Sequence, residues 1–287
     1  MSRLFAIVMT LAASALGVGR AAPPTARPAA SAAAAAADRA RPDPAVVPFG
    51  VGERSNYEVR FGALRVGSGS MEVVGTEIVR GRETYHTVFR VRGGTFFYKV
   101  DDRFESWIDM ETLASLRYVQ DQQEGSKDRE RHYEIFPERE AFTELAKSKS
   151  KGEAPVEQKS VKQPLDDGSF IYFIRTVPLT VGQTYEFHRY FRPDRNPVRI
   201  RVLRREKVTV PAGTFNAIVV QPSIKSKGIF SENGQAQIWF SDDAQRVMLQ
   251  MKSKLNFGSL NLYLTSHTPS PLAGGGAGGG GSSPSSR

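Results

Sequence analysis

Between residues 46 and 268 the chain is cut into short runs by glycine-containing turns, and within the runs apolar and polar residues alternate. That period of two places successive side chains on opposite faces of a strand. Tyr57, Val59 and Phe61 share one face, and further runs follow at 84–91, 96–108, 115–120 and 130–136. They resume at 184–191, 198–209, 215–223, 235–240, 246–254 and 259–266, rich in Val, Tyr, Phe and Thr. Turns such as Arg80-Gly81-Arg82 and Arg92-Gly93-Gly94 separate them, and Gly67 and Gly69 within 64–74 predict a bulge or bend. A turn every eight to twelve residues or so is the rhythm of an antiparallel sandwich or barrel, and it excludes βαβ units.

One stretch breaks the alternation. In 166–182, Phe170, Phe173, Ile174 and Val177 recur at helical spacing, with Ile171 at the edge of the arc and Ser169, Tyr172 and Thr176 opposite. The spacing predicts a short amphipathic helix over about 168–177, capped by Asp166 or Asp167 and stopped by Pro178. The expected fold is therefore all-β, mainly antiparallel: a half-barrel or two-sheet clamshell around one short central helix.

The ends bound the compartment. Arg3 and the apolar run 4–18, with small residues at Gly19, Ala21 and Ala22, read as a signal peptide over 1–22. Residues 23–45 are an Ala/Pro linker and 269–287 a flexible Gly/Ser tail. The chain contains no cysteine, which excludes disulfides and thiolate metal sites. Of the formal charge of +9, about +5 remains once residues 1–45 and Arg287 are set aside. That balance does not describe a nucleic-acid binder.

The β-rich domain 46–268 admits two readings: similar halves, 46–143 and 178–268, joined by a basic connection and the helix, or a chance likeness of the kind that β-strands share easily. Pro48-x-x-Val51-Gly52 recurs as Pro178-x-x-Val181-Gly182, Tyr57 and Phe61 match Phe187 and Phe191, and Thr84-Tyr85-x-x-Val88 matches Thr214-Phe215-x-x-Ile218. Trp107-Ile108 matches Trp239-Phe240 after a two-residue shift, each pair before an acidic turn.

No catalytic pattern stands out. His86, His132, His188 and His267 lie in no ligand spacing, and no nucleophile elbow, phosphate loop or dinucleotide fingerprint is present. The pairs Asp101-Asp102, Asp166-Asp167 and Asp242-Asp243 hold too few carboxylates for calcium, and Ser241-Asp242-Asp243 reads as a turn. No cofactor, metal or catalytic residue is expected. Arg199, Arg201 and Arg204 form a basic strand suited either to an anionic membrane surface or to a plain solvated face. The abundant aromatic residues fill a core or line a cavity for an apolar ligand. For the cavity reading the expected ligand-binding residues are Trp107, Phe170, Phe173, Arg175, Trp239 and Phe240. Arg175, at the border of the apolar arc, is expected to meet a buried carboxylate or an anionic head group.

Several segments resemble one family. Val51-Gly52-Glu53 before the Tyr57 strand, Asp167-x-Ser169-x-x-Tyr172-x-x-Arg175 before Pro178-Leu179-x-Val181-Gly182, Val210-Pro211-Ala212-Gly213-Thr214-Phe215, and Ile238-Trp239-Phe240-Ser241-Asp242-Asp243 are similar to the exported bacterial proteins grouped as domain of unknown function 3108. The likeness covers about 47–267 and implies a β-rich exported protein without an assigned activity. By analogy alone it implies kinship with open-barrel carriers of lipoproteins and lipids. The expected function is non-enzymatic binding of a lipid or other apolar ligand in the periplasm or cell envelope. The alternative is a structural or interaction module with a fully packed core, and a hydrolase with an unrecognised site is the remaining class.

Overall fold

The computed structural model describes residues 47–95, 98–146, 156–225, 236–255 and 258–271. The expected signal peptide, the linker and most of the tail lie outside the described residues, as do Phe96 and Phe97. Fourteen strands form one antiparallel sheet that is not closed into a barrel. The first eight are β1 (Arg54–Phe61), β2 (Leu64–Val79), β3 (Arg82–Thr95), β4 (Tyr98–Asp109), β5 (Ser115–Glu124), β6 (Lys127–Phe136), β7 (Ala141–Ala146) and β8 (Glu157–Lys159). A helix, α1 (Asp167–Ile174), comes next. The rest are β9 (Thr184–Phe187), β10 (Val198–Val210), β11 (Gly213–Ser223), β12 (Gln237–Ser241), β13 (Met248–Leu255) and β14 (Gly258–Thr268).

Each half is a meander, and the halves fuse where β1 pairs with β14 in the middle of the sheet. The expected two curved halves are thus one continuous sheet, because the first and last strands share a ladder. The edges are the short strands β8 and β9, which flank the helix in sequence. An irregular segment spans the gap between them. Phe191 N–H donates to Leu165 O at 2.9 Å, Ser160 Oγ donates to Phe191 O at 2.8 Å, and Ser115 N–H donates to Pro164 O at 2.7 Å. These bonds occupy backbone groups that a bare edge would leave open. The same parallel contact of Leu165 with Tyr190 explains why the run predicted over 184–191 is strand only to Phe187.

The helix forms where its spacing places it, but its surroundings differ from the expected one-sided stripe. Asp167 and every residue from Ser169 to Ile174 are buried, Ser169 and Tyr172 included. A sheet that curls round a helix covers its whole circumference, so a polar arc must find partners instead of water. Ser169 does so in a capping box with Asp166, and Tyr172 packs edge-on to Phe49, ring centroids 4.8 Å apart. Regular helix ends at Ile174, and the last turn tightens through Thr176 N–H to Phe173 O and Val177 N–H to Ile174 O, at 3.0 and 3.1 Å.

The two halves carry matching details. Gly52 and Gly182 both have φ of +85°, a region that favours glycine. Gly52 N–H donates to Val73 O, and Val73 N–H to Glu53 O; Gly182 N–H donates to Val202 O, and Val202 N–H to Gln183 O. Register shifts follow Val73 and Val202, and again follow Trp107 and Trp239. A further shift in the β1–β2 ladder, between the pairs Val59–Gly67 and Arg60–Arg65, is the bulge that Gly67 announces. Across β2 and β3, Gly67 faces Gly93 so closely that a Cβ on Gly67 would sit 2.1 Å from Arg92 O. Gly67→Ala is therefore expected to lower stability by about 2 kcal/mol or more, read from the urea midpoint, with Gly75→Ala as the permissive control because its Cβ would meet nothing within 4 Å.

Candidate functional site

The interior is organised by the two ends of α1. At its start the Asp166 carboxylate accepts from the N–H groups of Gly168 and Ser169, both at 2.8 Å, which caps the helix. It also accepts from the hydroxyls of Ser106 on β4, at 2.7 Å, and Ser115 on β5. Burial pushes the Asp166 carboxyl up to about 6, and the serine and backbone donors pull against that shift. The next residue, Asp167, accepts from Tyr190 Oη at 2.9 Å and Tyr118 Oη at 3.1 Å, and Gln120 donates to Tyr118 Oη at 2.8 Å. Beside this network lies a slot of about 10 Å³, lined among others by Gln120, Arg131, Arg192 and Arg195. It has room for one water molecule and no more.

At the other end, Arg175 is 5% exposed and forms a bidentate pair with Glu53, Nη1 to Oε1 at 2.6 Å and Nη2 to Oε2 at 2.9 Å. Nη2 also donates to the carbonyls of Pro48 and Gln245, each at 2.7 Å, and Nε donates to Gln245 O at 3.2 Å. Of the two expected partners, Arg175 meets the buried carboxylate. The pair joins the helix end to the segment before β1 and to the β12–β13 turn.

Phe170 and Phe240 are fully buried, and Phe173 sits edge-on to Phe187 at 5.0 Å with the Arg189 guanidinium 4.5 Å over its ring. Tyr118, Tyr133, Phe142 and Phe191 continue the aromatic packing beyond the helix. The structure thus brings Phe170, Phe173, Arg175 and Phe240 to the inner face. It does not bring Trp107 and Trp239 there. Strand alternation turns both indoles to the face away from α1, since Ser106, Ile108, Ile238 and Phe240 take the inward positions. There Trp107 Nε1 donates to Glu77 at 2.8 Å, and its ring stacks on His86 at 4.3 Å. Trp239 Nε1 donates to Glu206 at 2.6 Å. The sequence already carried that signal for Trp239, which stands between Ile238 and Phe240, whereas Trp107 has an apolar neighbour only in Ile108.

The basic strand is largely neutralised. Arg199 pairs with Glu186 at 2.8 Å and Arg204 with Glu206 at 2.8 Å, while Arg201 is exposed. Three of the histidines have carboxylate or hydroxyl partners: His86 lies between Glu77 and Glu105, His132 pairs with Glu134, and Ser55 Oγ bonds His267 Nδ1. Among the described residues no group of three or more potential ligands could hold a metal. Asp243, in the turn expected at 241–243, accepts from the N–H groups of Gln245 and Arg246.

Sequence reasoning missed Asp102. It is fully buried on β4, and neither carboxylate oxygen has a hydrogen-bond partner of ordinary geometry among the described residues. Burial, with the Glu124 carboxylate nearby as a second cause, pushes it up to about 7.

The model of a family described as "Protein of unknown function (DUF3108)" matches residues 56–265. No curated protein matches the chain. Among solved structures, a β-barrel-like protein of domain of unknown function DUF1849 from Brucella abortus aligns with a TM-score of 0.50 at 9% identity, over 76% of this chain and 98% of that one. That likeness concerns the fold alone. A candidate lipoprotein from Parabacteroides distasonis (TM-score 0.30, 9% identity, 78% and 99% covered) and a candidate exported protein with a YmcC-like fold from Bacteroides fragilis (0.29, 11%, 78% and 98%) are more distant. Likenesses of that size carry no argument about this chain.

Two outcomes follow from the buried charges. Arg175→Ala leaves Glu53 buried without its partner and is expected to cost roughly 3–5 kcal/mol in urea unfolding. Asp102 is raised above its unfolded value, so its contribution is full below about pH 4 and is lost as pH rises through about 7. Asp102→Asn is expected to gain stability relative to the parent between pH 5 and pH 8, measured as the difference in unfolding midpoints. A constant difference across that range refutes the assignment.

Proposed function

Because the chain belongs to the DUF3108 family, which is described as of unknown function, its role has to be argued from its own residues, and we propose a non-enzymatic, exported envelope module whose interior is a packed core. Export rests on the signal-peptide pattern of residues 1–22. The observation that carries the packed core is α1 itself: it occupies the hollow of the sheet where an apolar ligand would sit, and it is buried on every side.

The apolar-ligand reading expected from the sequence needed Phe170, Phe173, Arg175 and Phe240 to face an open space. Their rings and donors are instead spent on other side chains and on backbone carbonyls. Among the described residues, a polar slot the size of one water lies beside the helix. With Trp107 and Trp239 turned outward, recognition of a partner or ligand falls to the outer face. A non-enzymatic role is consistent with His86, His132 and His267 held in ion pairs and hydrogen bonds and with no metal-ligand cluster among the described residues.

Mass spectrometry of organic extracts of the purified full chain tests the reading. The expected result is no stoichiometric lipid or other apolar compound. A co-purifying lipid at about one per chain, lost in Phe170→Trp or Phe173→Trp, would restore the carrier interpretation.

A further inference from the structure

On the face turned away from α1, strands β12, β13, β14 and β1 carry two cross-strand rows fixed by register. One row runs Trp239, Gln250, Tyr263 and Glu58; the next runs Gln237, Lys252, Asn261 and Arg60. Together they floor an open groove of about 470 Å³, lined by Gln237, Trp239, Lys252, Asn261 and Tyr263 with Ser253 and Ser259. That volume lies in the range of small-ligand sites.

Two of its features ask for a ligand. Asn261 is 5% exposed, yet its Oδ1 has no hydrogen-bond partner among the described residues. Buried polar atoms in native structures are otherwise satisfied, so an orphan facing a groove is unusual. Lys252 is exposed, and its ammonium lies 5.3 Å from the Trp239 ring centroid and 5.9 Å from that of Tyr263. It forms no ion pair among the described residues, although Glu206, paired with Arg204 and bonded to Trp239 Nε1, also feels its charge. Arg60, by contrast, is held by Glu58 at 2.5 Å and lies over Tyr263 at 5.1 Å.

The lining selects a chemistry. Amide and hydroxyl groups of Gln237, Asn261 and Ser259 can both donate and accept, which suits a molecule dense in hydroxyls. Tyr263 is half-buried and Trp239 is 5% exposed, so the aromatic surface open to ring C–H groups is shallow, which disfavours an acyl chain. One exposed ammonium outside any ion pair among the described residues suits one negative charge per short segment, too few for a nucleic-acid backbone. We propose that the groove binds an acidic saccharide, with a carboxylate on Lys252 and sugar hydroxyls on Asn261 and Gln237.

The inference rests on the packed-core reading only in looking for a ligand outside the sheet. An extracted lipid would overturn that reading and leave the saccharide test standing.

Trp107 and Trp239 are the chain's two tryptophans, so Trp107→Phe leaves Trp239 as the sole indole reporter. The full chain carrying Trp107→Phe is titrated with trigalacturonate and with the neutral cellotriose, following indole emission, and calorimetry on the parent chain checks that the substitution is silent. The expected result is saturable binding of trigalacturonate, weakened roughly tenfold or more by Lys252→Gln, with cellotriose at least as much weaker. Lys252 is exposed, so Lys252→Gln is expected to keep the parent circular-dichroism spectrum. Absence of saturable binding at millimolar trigalacturonate overturns the proposal. Equal affinity for the two sugars, or no effect of Lys252→Gln, overturns it as well.

Discussion

A helix of eight residues inside a curved sheet has no water to satisfy its ends, and that constraint governs much of this structure. Its first N–H groups need acceptors and its last turn needs donors. Asp166 supplies the first and is itself secured by Ser106 and Ser115 on β4 and β5. At the other end, the 3₁₀-like bonds of the last turn, together with Arg175 on Glu53 and two backbone carbonyls, fix where the chain leaves. A free helix of this length would not persist in water. It persists here because each end is tied to a different part of the wall, and the apolar side chains fill what lies between.

Those ties also draw together segments far apart in sequence. Glu53, ahead of β1, and Ser106 and Ser115, on β4 and β5, belong to the first half, whereas Gln245 lies in the β12–β13 turn of the second. The matching turns at Gly52 and Gly182, and the matching bulges near each Trp, place these segments in similar positions in the two halves. The halves differ where it matters for the interior. Gln183 stands where Glu53 stands in the first half, so one half supplies the charge that Arg175 requires while the other does not.

Much of this was legible in the sequence. Period-two runs located most strands, because a one-sided or enclosed sheet leaves that trace. A cap at Asp166 or Asp167 and a stop before Pro178 followed from local stereochemistry, and the structure selects Asp166. The enclosure of α1 was not legible, since a helix wrapped on all sides and one packed on a single face share the same run of Phe and Ile; only Ser169 and Tyr172, polar yet buried, distinguish them. The aromatic residues misled for a related reason. Composition records that Trp107 and Trp239 exist, whereas alternation against Ile108 and Ile238 decides which face they take. Asp102 was read only as half of an acidic pair, because burial of a single carboxyl depends on what the neighbouring strands β3 and β5 place beside it.

The pairing of β1 with β14 has a temporal consequence. A ribosome delivers β1 early, and its partner on one side arrives some two hundred residues later. Until then the first meander exposes a full-length open ladder at the centre of what will become the sheet. Until β14 arrives that edge is open to pairing with a neighbour, and truncation at the far end would leave the middle of the molecule unsealed.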